Sequence, residues 1–470
     1  MDNRHGRRLS RLPLSIAASV LALTAVSATV TQAAVLHTKR AAKAPQRTAG
    51  NSRRHAPTAS SLRPRVIRTG KGPTGYSVTF SYWAPGVNSV EIQGEWSFAK
   101  SKNTAAATAW SVLRTGILPR AWQPGDFPFA PDAWPVAQMK ENLRTGVWTF
   151  TTPLPSGMFT YGFYVNCSSP SIYDCTELSD PSNPPWNQVG GAVRGSVEPA
   201  SEVYVPSDSR FGTQSYAWQA PARRRGKLTE VTYASPTHVS PAGQNYLAIY
   251  TPPGYNPRRS TPYRTIYLSH GSPGNEIDWS TQGDLRNIMD NLIDDGQIEP
   301  MVVVMTNSNG FAASCQRGAW ESAYDNDLIS SVIPYVQTHY RVSPQATDRA
   351  YAGVSCGGDL AESLLTNDTG QFGYFGLFSP GPNGLPSLGA TQIAAIKHVS
   401  VFVGGGWQEP TSDDGGPGER VLEAQDIAAL TADGVPLTVD LMNSGHEWYL
   451  WRILLHDWLL HTAFWPTITS

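Results

Sequence analysis

Three kinds of residue in this chain have the types and order needed for nucleophilic chemistry. Ser355 lies in Gly353-Val354-Ser355-Cys356-Gly357, a Gly-x-Ser-x-Gly. A serine hydroxyl is a weak nucleophile and needs a base beside it. His446 is the candidate, in the stretch Leu441-Met442-Asn443-Ser444-Gly445-His446-Glu447-Trp448. The later histidines His456 and His461 fall inside a helical pattern. A carboxylate placed between serine and histidine in the chain would hold the imidazole in the right tautomer. SVFVGGGWQEPTSDDGG offers Glu409, Asp413 and Asp414, and Glu409 stands nearest the end of an apolar run, where position is best fixed. Such a set attacks a carbonyl and forms a covalent intermediate.

An oxyanion formed in that attack needs two backbone donors. The N–H of Cys356 is one candidate. Gly271 or Ser272, in the glycine-rich turn SHGSPGNEIDW, is the other. His270 in that turn precedes the serine and is read as shaping the loop. Trp320, Trp407 and Trp448 are candidates to flank a cleft, with specificity set by loops such as Gly310 to Tyr324 and Thr411 to Gly418. This chemistry calls for no metal and no organic cofactor.

The elements that must position these residues are legible as alternating patterns. RTIYLSHG, MVVVMTN, RAYAGVS, YFGLFSPG, HVSVFVGGG and PLTVDLMNSG read as buried strands. Between the first two, Leu285, Ile288, Met289, Leu292 and Ile293 recur at helical spacing before Gly296. Leu328, Ile329, Val332, Ile333 and Val336 do the same before the third. Trp448, Trp451, Leu455, Trp458 and Leu459 predict a last helix. Alternating strands and helices imply an α/β fold: a mostly parallel sheet covered on both faces. Ser355 then sits at a tight strand-to-helix turn, at the start of a helix carrying GGDLAESLL, whose free N–H groups face any oxyanion.

The front of the chain has another character. YSVTFSYWAP, NSVEIQGEW, GVWTFTTPL, MFTYGFYVNC and SEVYVP alternate at period two and predict a small β-sandwich. A Trp- and Pro-rich insertion, roughly residues 97–142, carries no readable pattern. The expected division is a signal peptide at 1–34, a flexible basic linker at 35–64, an all-β domain at 65–208, a linker at 209–226 and the α/β domain at 227–470. The signal peptide is read from Arg4, Arg7, Arg8 and Arg11, then PLSIAASVLALTAVSATV, then small residues to Ala34. Export places the protein outside the cytoplasm, with no membrane attachment after cleavage.

The chain has 470 residues, 40% hydrophobic and 16% charged, which excludes a disordered protein and fits two domains. Its formal charge of −1 offers nucleic acid no general attraction. Four cysteines in an exported chain suggest disulfides. The close spacing of Cys167 and Cys175 suggests a local bridge, leaving Cys315 with Cys356.

In order along the chain, TPPGY, YLSHGSPGNEIDW, DNLIDDGQIEPMVVVMTN, DLISSVIPYVQTHYRVS, RAYAGVSCGG, FGYFGLFSPG and SGHEWYLWR resemble the putative-esterase family. That family includes feruloyl and acetyl xylan esterases, enterochelin esterases and mycolyltransferases. The likeness covers nearly all of residues 227–465 and implies an α/β-hydrolase with Ser355 as nucleophile and His446 as base. The family usually has Asp where this chain has Glu409, and often Met where it has Cys356. A Cys315–Cys356 bridge would tie the nucleophile turn to the loop after the second strand. The front part resembles the early-set immunoglobulin-like domain that precedes many such esterases.

These observations predict a secreted serine esterase whose partner is an ester substrate, feruloylated or acetylated polysaccharide being foremost. A siderophore trilactone esterase, an acyltransferase and a non-catalytic wall-binding protein on the same scaffold are the alternatives.

Overall fold

The computed structural model describes residues 56–100, 116–129, 134–169, 175–187, 200–311, 315–409 and 419–465. The expected signal peptide, most of the linker that follows it, Asp413 and Asp414 lie outside the described residues.

The front of the chain forms antiparallel strands, as its period-two alternation requires. One sheet holds β1 (Arg65–Arg68), β2 (Tyr76–Trp83), β7 (Lys140–Asn142) and β8 (Val147–Thr152), in the order β1-β2-β8-β7. The other holds β3 (Val90–Gly94), β6 (Val136–Gln138), β9 (Gly157–Val165) and β10 (Ser201–Val205), in the order β10-β9-β3-β6. Val78 and Phe80 of β2 meet Ile92, Tyr161, Phe163 and Val203 of the facing sheet in one core. The Phe80 and Tyr161 rings lie 4.7 Å apart. Part of the unreadable insertion pairs as β4 (Phe98–Ala99) with β5 (Phe127–Pro128). Cys167 is bonded to Cys175, as their spacing suggested.

The second sheet has eight strands. They are β11 (Lys227–Val239), β12 (Ala242–Thr251), β13 (Thr265–Ser269), β14 (Val302–Thr306), β15 (Arg349–Ser355), β16 (Tyr374–Pro380), β17 (Ser400–Gly406) and β18 (Leu437–Met442). Their order is β11-β12-β14-β13-β15-β16-β17-β18. β12 runs antiparallel to its neighbours, and β13 to β18 are parallel. This is the mostly parallel sheet that the alternation predicts, in the α/β-hydrolase architecture that the family resemblance implies. β13, β14, β15 and β16 are buried along their whole length, which explains their unbroken apolar sequences.

Helices cover both faces. α1 (Leu285–Asp294) ends just before Gly296, whose φ is 68°. α2 (Ala319–Asp327) runs on through a π turn at Leu328–Val332 into Ile333–His339. α3 (Cys356–Asn367) follows β15 directly, α4 (Glu419–Ala432) precedes β18, and α5 (Trp448–His461) closes the fold. One core holds Tyr267, Val304, Tyr351, Leu360 and Leu364; the other holds Leu268, Met305, Val354, Leu455 and Trp458. No described helix is long and apolar enough to cross a membrane.

The β11–β12 hairpin escaped the sequence reading. β11 is the sheet's edge strand, and most of its residues are exposed or half-buried, so it lacks a continuous apolar run.

The front sheets and the α/β part are packed together. Arg452 of α5 donates to Glu95 Oε2 at 2.8 Å and to the Met158 carbonyl at 3.1 Å. The Tyr216 and Tyr449 hydroxyls are 2.6 Å apart.

Candidate active site

Ser355 is the last residue of β15, and α3 begins at Cys356. Its φ is 55°, a left-handed conformation that a residue with a side chain adopts at a cost of about 1–3 kcal/mol. The turn tolerates no bulk around it. A Cβ on Gly353 would lie 2.1 Å from the Gly357 carbonyl oxygen, and one on Gly357 would lie 2.6 Å from the His270 oxygen. The glycines of Gly-x-Ser-x-Gly are therefore required by crowding between β15, α3 and the turn after β13. The Cys356 N–H stands at the first position of α3, where a helix leaves its amides unpaired.

Gly271 sits against the serine: a Cβ there would come 2.8 Å from Ser355 Cβ and 3.5 Å from its Oγ. Ser272 follows in the same turn and is exposed. His270 is buried, with Nδ1 2.8 Å from the Gly271 carbonyl, and Nε2 accepts from the Ser308 N–H at 3.1 Å. Nδ1 therefore carries the proton. Burial pushes its pKa down to about 4, which keeps the ring neutral and fixed, as a loop-shaping role requires.

His446 follows β18 in the loop before α5. Its Nδ1 lies 2.7 Å from Glu409 Oε2. Glu409 is buried just after β17, and its other oxygen accepts from the Ser379 hydroxyl at 2.6 Å and the Gly406 N–H at 3.1 Å. The Trp451 indole donates to Ser379 at 3.0 Å, and its ring meets the His446 ring edge-on with centroids 5.0 Å apart. Both carboxylate oxygens of Glu409 are thus engaged, and the imidazole is held by α5 as well as by the acid.

A second carboxylate reaches the same nitrogen. Glu419, the first residue of α4, has Oε2 3.1 Å from His446 Nδ1. Burial disfavours a charged imidazole, but the charges and hydrogen bonds of Glu419 and Glu409 outweigh it and hold the His446 pKa well above 6.5. Sequence reasoning missed Glu419, Ser379 and the Trp451 indole as parts of the site. Glu419 opens a helix beyond an irregular stretch, and nothing in its spacing ties it to His446.

Cys315 is bonded to Cys356, so the loop after β14 is fastened to the residue following Ser355. The three tryptophans fare differently. Trp407 is 44% exposed, with the Arg420 guanidinium 4.5 Å above its ring. Trp448 is half-buried and packs edge-on against Trp279 and Trp451. Trp320, expected beside a cleft, is 1% exposed; it packs in the core, where its indole donates to the Ser308 carbonyl at 2.9 Å. The front of the chain also touches this region: a Cβ on Gly445 would lie 2.7 Å from the Phe129 ring.

Residues 241–462 match the family model described as putative esterase. The endo-1,4-beta-xylanase/feruloyl esterase of Xylanibacter ruminicola is 29% identical over 321 residues, covering 66% of this chain and 39% of the relative. This chain thus spans about two fifths of that curated relative's length. Among solved structures, a feruloyl esterase module from Clostridium thermocellum complexed with sinapinate is 22% identical with a TM-score of 0.43, over 53% of this chain and 93% of that one. The enterobactin esterase of Shigella flexneri is 16% identical with a TM-score of 0.49, over 87% of this chain and 98% of that one. The segment matched to the putative-esterase model contains Gly271, Ser355, Cys356, Glu409 and His446.

Proposed function

We propose that the chain is a carboxylic ester hydrolase in which Ser355 is the nucleophile, His446 the general base and Glu409 the acid that orients it. Ser355 attacks the ester carbonyl, His446 takes its proton and returns it to the leaving alcohol, and water then cleaves the acyl-enzyme with the same base. The Cys356 N–H and the Gly271 or Ser272 N–H hold the oxyanion. The reading is carried by the hydrogen bond from His446 to a buried, doubly braced Glu409. The strained backbone at Ser355 and the family match support it.

The proposed substrate is a feruloyl or acetyl ester of a cell-wall polysaccharide met outside the cell. The name of the Xylanibacter relative joins a xylanase to a feruloyl esterase, and two disulfides suit an oxidising compartment. The front sheets, as a separate sandwich domain over residues 65–208, would wall one side of the site through Phe129. Trp407 is the exposed aromatic nearest to this chemistry in sequence. A panel of methyl ferulate, p-nitrophenyl acetate, acetylated xylan and an enterobactin-type trilactone tests the assignment. Preference for the ferulate or the acetylated xylan supports it; preference for the trilactone moves it to siderophore hydrolysis. Failure of a folded sample to hydrolyse any ester or to react with a fluorophosphonate would contradict it.

A further inference from the structure

We propose that Glu419 is a second positioning carboxylate on His446, sharing with Glu409 the work of holding the imidazole and its charge, so that each partly stands in for the other. The inference rests on the proposed roles of Ser355 and His446. Its basis is geometric. One nitrogen, His446 Nδ1, has Glu409 Oε2 at 2.7 Å and Glu419 Oε2 at 3.1 Å. The two carboxylates come from different elements, the loop after β17 and the start of α4. The shorter contact is the hydrogen bond to Glu409, and the buried Glu419 oxygen faces the same nitrogen at 3.1 Å as a second acceptor.

The arrangement differs from a one-acid site in a definite way. When His446 takes the proton of Ser355 it becomes a cation, and two carboxylates then stabilise it at close range in a poorly solvated place. The same charges act on the resting enzyme, which favours the protonated ring and makes the base available only at higher pH. The titratable groups farther out on this side are Arg420, paired with Glu423 at 2.9 Å, and Asp359, whose carboxyl pKa is pushed well up by burial first and by nearby acids, Glu321 and Glu419 among them. Burial, with the Glu409 charge next, pushes the Glu423 pKa up to about 8.

The test uses the full chain with two readouts. The first is the His446 titration followed by NMR of its ring, which requires no activity. Glu419→Gln should lower the midpoint so that half-titration needs roughly tenfold more protons, and Glu419→Asp should restore part of the difference. The second is kcat/KM against pH. The acid limb should move down with the titration in Glu419→Gln. Loss of the only acid in a triad costs on the order of 10⁴-fold in kcat, so Glu409→Gln alone should lose only about 10²-fold and the double variant about 10⁴-fold. An unchanged His446 midpoint in Glu419→Gln, or a Glu409→Gln enzyme already as slow as the double variant, would overturn the inference. His446→Ala separates this from the underlying reading: if it stays active, the proposed base is wrong, whatever Glu419 does to the titration.

Discussion

Arg452 and Glu95 form an ion pair at 2.8 Å with both side chains almost completely buried, joining the last helix of the α/β part to the front sheets. Arg452 also donates to the carbonyls of Gln282 and Met158, so its guanidinium touches three separate parts of the chain. Removing one partner of such a pair leaves an uncompensated charge, which costs about 3–5 kcal/mol. Arg452→Met should therefore lower the unfolding free energy by about that much. Glu95→Gln with Arg452→Met should lose less than the sum of the two single changes, as chemical denaturation of the four proteins would show.

The charge on His446 predicts a pH dependence with a definite sign. Its folded pKa lies well above 6.5, because Glu419 and Glu409 outweigh its burial. In the proposed mechanism the neutral ring is the base, so kcat/KM should fall on the acid side with a midpoint above pH 6.5. Stability runs the other way. A raised folded pKa contributes stability that is complete below about pH 6.5 and is lost as pH rises through the folded value. The stability difference between wild type and His446→Ala should thus be largest at mildly acid pH and shrink toward alkaline pH in parallel thermal melts.

The two disulfides should differ in weight. Cys315–Cys356 closes a 41-residue separation and Cys167–Cys175 one of 8. Chain-entropy arguments give about 4 kcal/mol for the first and about 2.5 kcal/mol for the second. Cys315→Ser with Cys356→Ser should lower both stability and kcat, because Cys356 adjoins Ser355. Cys167→Ser with Cys175→Ser should lower stability alone. Denaturation curves and ester turnover on the two double variants check both statements.

Gly445 has no room for a side chain, since a Cβ would meet the Phe129 ring at 2.7 Å. Gly445→Ala should push the His446 loop out of place and reduce kcat by roughly 10- to 100-fold, the usual effect of a small misplacement of a catalytic group. Phe129→Ala in the same chain should recover part of that loss. Steady-state kinetics of both variants would reveal whether the front insertion sets the loop's position.

The sequence displayed this fold where burial was one-sided or complete. β13 to β16 are apolar runs because both faces of the sheet are covered, and β2 alternates because its Val78 and Phe80 point into a core while its neighbours do not. The β11–β12 hairpin stayed hidden because an edge strand keeps polar residues on both faces. Ser355 at the end of β15 and His446 in the loop after β18 lie where the apolar runs placed them. Glu409 was one of three candidates. The approach of Glu419 to His446 depends on where α4 starts relative to β17, a matter of tertiary packing that no local pattern records. Trp320 misled because a tryptophan in a loop-like stretch reads the same whether it lines a cleft or fills a core.

The central claim is tested most directly by kcat/KM for methyl ferulate and p-nitrophenyl acetate in wild type and Ser355→Ala, with fluorophosphonate labelling of both. The account predicts turnover and stoichiometric labelling in wild type. In Ser355→Ala it predicts turnover lower by on the order of 10⁴-fold or more and no label. A folded Ser355→Ala that hydrolyses these esters as wild type does, or labels equally, would contradict it.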